Sequence, residues 1–157
     1  MKDQNELILL DIRSAHNVGA IFRTADAAGI SKIYLVGITP APLDRFGRVR
    51  KDVAKAALGA EKIVKWESRK SVTALLRELK KDKVQIIALE QSKKSVDYKK
   101  IKPKNSFCLV LGNEVLGIPS AILSHCDKIV EIPMHGKKES LNVSVAVGIA
   151  LFQMLGV

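Results

Sequence analysis

Short apolar runs closed by Gly, Asn, Ser or Glu alternate along this chain with stretches whose apolar positions recur at helical spacing. The runs predict strands at Glu6–Asp11, Lys32–Val36, Ile63–Trp66, Val84–Leu89, Phe107–Leu111 and Lys128–Ile132. The stretches between them predict helices at Val18–Ala28, Asp52–Leu58, Ser71–Leu79 and Asn142–Leu155, with a short helix beginning at Pro119. Asn17 is expected to cap the first helix and Gly29 to stop it. Strands alternating with helices in this order imply an α/β fold, a mostly parallel sheet with helices on both faces. No linker divides the chain, so residues 1–157 read as one domain. The last helix departs from amphipathic patterning. Val143, Val145, Val147, Ile149, Leu151, Phe152, Met154 and Leu155 surround it, so it must be buried in the core, against another subunit, or both.

Composition narrows the class. Hydrophobic residues at 47% and charged residues at 27% fit a globular protein rather than a disordered one. Aromatics at 4% leave the core to aliphatic side chains. Lys and Arg total 26 against 16 acidic residues, and the resulting charge of +10 favours a polyanionic partner such as nucleic acid. The start, MKDQNELILLDIRS, has neither the apolar core of a signal peptide nor the length of a membrane span. Cys108 and Cys126 lack metal-ligand spacing and read as buried reduced thiols of a cytoplasmic protein, with no metal expected.

Three segments concentrate polar groups at places where α/β proteins bind ligands. In HNVGAIFRTADAAG (16–29), Gly19 permits close backbone approach, and Arg23 lies between Ala20 and Ala27 on one helical face. An accessible guanidinium there suits bidentate phosphate recognition; pairing with Asp11 or Asp26 is the structural alternative. In LGNEVLGIP (111–119), Gly112 turns the chain sharply and sets Asn113 and Glu114 at a strand's end, either as a site or as a turn and cap. In IPMHGKKESLNVS (132–144), Ser140, Asn142 and Ser144 crowd the start of the last helix, more polar groups than capping needs. His135 is a lone loop histidine, more often incidental than catalytic. No dinucleotide-binding glycine loop, Walker A sequence or nucleophile elbow is present.

Together these segments resemble the three motifs of the SpoU/TrmH family of RNA methyltransferases, within the SPOUT superfamily. The resemblance rests on N-x-G-x-x-x-R-T-A in 17–25, L-G-N-E-x-x-G-I in 111–118 and I-P-M-x-G-x-x-x-S-L-N-V-S in 132–144, in family order. It implies a C-terminal trefoil knot, an exception to ordinary chain connectivity. It also implies S-adenosylmethionine as methyl donor, a homodimer, and methyl transfer to a ribose 2′-hydroxyl of tRNA or rRNA. By position, Arg23 matches the catalytic arginine, and Asn17, Glu114, Ser140 and Asn142 match its supporting polar residues. Leu89, Gly112, Ile132, Met134 and Leu141 match positions that hold the cofactor.

The family's mechanism makes Arg23 a base, but guanidinium groups keep their proton in proteins. The expected role is to bind the target phosphate and stabilise developing alkoxide, accepting the proton only once desolvated. Arg45, Arg48, Arg50, Lys51 and Lys55 are the candidate RNA phosphate track. Two other readings stay open: a catalytically inactive RNA-binding or ribosome-assembly protein, and a superfamily methyltransferase acting on a base nitrogen. The chain leaves no room for an RNA-binding domain before Glu6 and ends soon after the last helix, so specificity is expected from the dimer surface or a partner protein. The target RNA is not legible, with a lean toward tRNA.

Overall fold

In the computed structural model, which describes residues 3–157, seven strands form a single sheet. They are β1 (Glu6–Leu10), β2 (Lys32–Val36), β3 (Lys65–Arg69), β4 (Gln85–Leu89), β5 (Val96–Asp97), β6 (Phe107–Leu111) and β7 (Lys128–Glu131). Their order is β3-β2-β1-β6-β4-β7-β5, and every pairing is parallel. The helices are α1 (Ala15–Ala28), α2 (Lys51–Ala57), α3 (Val72–Lys81), α4 (Ser120–Leu123) and α5 (Val143–Leu155).

Side-chain alternation along the strands divides the core into two layers. Leu7, Leu9, Ile33, Leu35, Leu109 and Leu111 pack with α1, α2 and α5 on one face. Ile8, Leu10, Tyr34, Val36, Cys108 and Val110 pack with α3 and the residues of α4 on the other. Both faces of the central strands are thus buried, which is why these segments read as unbroken apolar runs. Gly19 sets the α1–α2 crossing, since a Cβ there would lie 2.4 Å from the Val53 carbonyl oxygen.

Several sequence-derived boundaries move. The cap of α1 is Ser14, whose hydroxyl accepts from the Asn17 N–H at 3.1 Å, and Asn17 itself stands in the first turn. Strand β1 stops at Leu10 because Asp11 takes a left-handed φ of 54°. The Ile63–Trp66 strand is found at Lys65–Arg69: Ala60–Lys62 form a single 3₁₀ turn, which carries Ile63 out to solvent. The basic stretch 93–100, where no strand is expected, holds one: Val96–Asp97 pair with β7 as an edge strand. Of the apolar residues around α5, Val147, Leu151 and Met154 are buried, whereas Val145 is 50% exposed and Ile149 and Phe152 more than a third. Each buried aliphatic side chain contributes roughly 1.5–3 kcal/mol; the exposed row realises only part of that within this chain. Among the described residues, no helix is long and apolar enough to cross a membrane.

Candidate active site

The carboxyl ends of β4, β6 and β7 open into a cleft of about 780 Å³. This edge is where open α/β sheets place ligands. Each strand ends in a turn held by side chains. After β6, the Asn113 amide donates to the Asp11 carbonyl at 2.8 Å, and its Oδ1 accepts from the N–H groups of Val115 and Leu116, both at 2.9 Å. After β4, Glu90 Oε2 accepts from the Ile118 N–H at 2.8 Å, and Gln91 Nε2 donates to the Glu139 carbonyl at 2.6 Å. After β7, residues 132–142 run to Asn142, whose Oδ1 accepts from the Ser144 N–H at 2.9 Å and so caps α5.

Glu114 ties the β6 turn to the start of α1. Its Oε2 accepts from the Arg13 N–H at 3.0 Å, and its Oε1 from the Ser14 N–H and Asn17 Nδ2, both at 3.1 Å. The Asn17 Oδ1 in turn accepts from Asn142 Nδ2 at 3.1 Å. Glu114, Asn17 and Asn142 therefore form one chain across three segments far apart in sequence. Partial burial pushes the Glu114 carboxyl upward, but the amide donors of Arg13, Ser14 and Asn17 outweigh it and hold the group below its ordinary value. A carboxylate committed to three donors is a holder of backbone rather than a proton acceptor.

This gives a pH prediction. A depressed carboxylate stabilises the fold fully above the ordinary carboxylate range, and that contribution disappears as pH falls through the lowered value. Glu114→Gln is expected to lose about 1 kcal/mol at neutral pH, discounted for solvent exposure, and to flatten the fall of the urea midpoint as pH drops below the ordinary carboxylate range. An unchanged pH slope would remove Glu114 from the linkage.

Asn17, Glu114, Ser140 and Asn142 all line the cleft, together with Leu89, Gly112, Ile132, Met134 and Leu141. The sequence reading missed Glu90 and Gln91, which also line it. Their position just past the β4 run is the signal that could have found them, the same signal that singled out Glu114. Arg23 does not line the cleft. Six residues beyond Asn17, it lies roughly 120° around α1 and faces a second concavity with His16, Ala20, Thr24, Ala27, Ala56, Gly148 and Phe152. Neither proposed carboxylate orients it: Asp11 Oδ1 accepts from the Ile38 N–H at 3.0 Å, and among the described residues no ion pair joins Arg23 to Asp26. His135 stands outside both hollows.

Of the basic residues, Arg45 and Arg48 sit on the 43–49 loop, and Arg50, Lys51 and Lys55 on or beside α2, whose Ala56 borders the Arg23 concavity. Two are already engaged, Arg48 with Asp44 at 3.1 Å and Arg50 with Asp52 at 2.7 Å. Cys108 is buried, whereas Cys126 is only partly so. Burial raises the Cys108 thiol well above its ordinary value and brings Cys126 to about 11, so neither supplies a thiolate near neutral pH.

The profile of the SpoU rRNA Methylase family matches residues 4–152. A 23S rRNA (guanosine-2′-O-)-methyltransferase RlmB of Neisseria meningitidis is 39% identical over 145 residues, covering 92% of this chain and 55% of the relative. The chain thus spans about half the length of that curated relative. The crystal structure of an AdoMet-bound rRNA methyltransferase from Sinorhizobium meliloti superposes with a TM-score of 0.88 at 30% identity, covering 98% of this chain and 56% of the other. A TrmH/SpoU tRNA modifying enzyme from A. aeolicus gives 0.82 at 32% identity, over 99% and 75%. With the profile spanning the whole sheet, from before β1 into α5, the chain belongs to the SpoU rRNA Methylase family.

Proposed function

We propose that this chain transfers a methyl group from S-adenosylmethionine to a ribose 2′-hydroxyl of ribosomal RNA. The observation that carries the reading is the cleft at the β4, β6 and β7 ends, lined by every residue whose family position implies cofactor contact. Its walls suit such a ligand. Leu89, Leu111, Ile118 and Leu141 offer apolar surface, Glu90, Gln91 and Ser140 offer polar groups, and the volume lies within the ordinary range of cofactor sites. When bound, S-adenosylmethionine supplies an electrophilic methyl on a sulfonium.

The chain's own residues do the rest. Glu114, Asn17 and Asn142 fix the cleft wall against the start of α1, so the attacking hydroxyl meets a preorganised surface. Arg23 binds the phosphate beside the target ribose and stabilises the 2′-oxygen as its proton passes to water, the methyl moving to that oxygen and S-adenosylhomocysteine leaving as the neutral thioether. Because Arg23 faces away from the cleft of its own subunit, the active centre is completed by a second copy, whose Arg23 reaches over this one's cleft. The exposed row Val145, Ile149 and Phe152 on α5 supports that homodimer, since pairing would bury it. The C-terminal segment forms the family's trefoil knot; the Gln91–Glu139 and Asn17–Asn142 bonds, which draw the post-β7 segment against earlier turns, support it. The names of the RlmB relatives favour rRNA over the tRNA that the sequence alone leaned to. The protein acts in the cytoplasm, where its free thiols stay reduced.

The test is methyl transfer from labelled S-adenosylmethionine to rRNA from cells lacking the protein, with the modified nucleoside identified by mass spectrometry. A 2′-O-methylnucleoside is expected. Tight RNA binding with no transfer would support a binding or assembly protein instead, and a methylated base nitrogen would reassign the reaction.

A further inference from the structure

We infer that Phe46, at the tip of the 43–49 hairpin, is a stacking seat for one unpaired nucleobase of the substrate RNA; this rests on the RNA-directed reading above. The sequence D-R-F-G-R sets an aromatic ring between two arginines in a chain with few aromatics. Phe22 and Phe107 are spent in the core, but Phe46 is 66% exposed and contributes little to packing. With Leu43 42% and Val49 57% exposed on the same hairpin, Phe46 is not an isolated surface apolar residue of the ordinary kind.

The ring is held in place rather than left loose. Leu43 and Val49 form an antiparallel bridge, and the Asp44 N–H donates to the Arg48 carbonyl at 2.8 Å. Asp44 Oδ1 accepts from the N–H groups of Phe46 at 2.8 Å and Arg48 at 2.9 Å, which fixes the tip from inside. The guanidinium carbons of Arg45 and Arg48 lie over the Phe46 ring, 4.8 and 4.9 Å from its centroid, so a base that stacks there takes the place of a guanidinium, which is then free for a flanking phosphate. Asp44 neutralises part of this charge through Arg48, leaving Arg45 without an ion pair among the described residues.

An exposed aromatic ring whose covering guanidinium groups can turn to phosphate suits single-stranded RNA, with the base on the ring and the donors on flanking phosphates. Charge complementarity favours RNA over a protein partner, because the chain carries +10 overall. A paired base cannot use the ring, since both its faces are already stacked. The hairpin therefore selects for a nucleotide outside a duplex, and it leads into α2, whose Ala56 borders the concavity that holds Arg23.

The probe is a single-stranded RNA of about ten nucleotides carrying a fluorescent adenine analogue, compared with the blunt duplex of the same sequence. Phe46→Ala is expected to weaken single-strand binding about tenfold and abolish quenching of the analogue. Phe46→Trp should retain both, and the duplex should be indifferent to either change. Arg45→Gln should reduce the salt slope by about 0.7, whereas Phe46→Ala leaves the slope unchanged. Equal affinity and quenching in Phe46→Ala would overturn the seat, as would equal losses for strand and duplex. Unchanged RNA binding with altered sedimentation would also overturn it, by assigning the ring to a protein contact. Methyl transfer measured in parallel separates the two readings. Quenching without transfer overturns the enzymatic reading alone, transfer insensitive to Phe46→Ala overturns the seat alone, and no RNA binding by the wild type overturns both.

Discussion

Arg23→Lys is expected to lower turnover by about a hundredfold or more while leaving affinity for S-adenosylmethionine unchanged. The split follows from geometry, because Arg23 lines the second concavity and not the cofactor cleft. A lysine keeps the charge but not the planar fork that can hold a phosphate and a developing alkoxide together. Calorimetric titration of the cofactor and single-turnover methylation measure the two halves separately. The homodimer proposal adds a sharper test. A subunit carrying Arg23→Ala keeps its cleft, and one carrying Gly112→Ala keeps its Arg23, so with cofactor held well below the wild-type Kd each should keep about a tenth of wild-type activity or less as a pure dimer. Statistically mixed, half the dimers are heterodimers with one complete centre, and about a quarter of wild-type activity should return. No recovery would place Arg23 over the cleft of its own chain; full turnover by Arg23→Lys would end its catalytic assignment.

What was legible in the chain depended on how local its cause was. Strands β2 and β6 appear at their expected residues because they lie in the middle of the sheet and both faces demand apolar side chains. Strand β3 slipped because it sits at the sheet edge, where KIVKWESR has no clear alternation, and because Leu58 takes a left-handed φ of 52° that begins an unsignalled turn. Asn17 looked like a cap because its type and position suit one. Its side chain is instead drawn to Glu114, nearly a hundred residues away, while Ser14 caps the helix. Glu90 escaped notice for a similar reason: its partner is the Ile118 backbone N–H, which any residue type would provide. The separation of Arg23 from Asn17 was in principle readable, since six residues along a helix do not share a face.

Gly112→Ala is expected to cost about 2–3 kcal/mol of stability and at least about tenfold in S-adenosylmethionine affinity. A Cβ at this position would lie 2.6 Å from the Gly117 carbonyl carbon and 2.7 Å from the Ile118 nitrogen. Neither atom can retreat cheaply. The Gly117 N–H donates to the Asn113 carbonyl at 2.9 Å, and the Ile118 N–H to Glu90 at 2.8 Å. Making room means opening the turn that lines the cleft and loosening the β4 and β6 ends from each other. Gly136→Ala is the matched control, because a Cβ there meets nothing within 4 Å; its unfolding free energy should change by no more than about 0.5 kcal/mol. The two losses are linked by mass action. Saturating cofactor should raise the wild-type unfolding free energy by RT ln(1 + [L]/Kd), and the Gly112→Ala protein should forfeit at least about 1.4 kcal/mol of that rise. A Gly112→Ala protein that is destabilised yet still gains the full cofactor shift would show that the turn supports the sheet but not the cofactor seat.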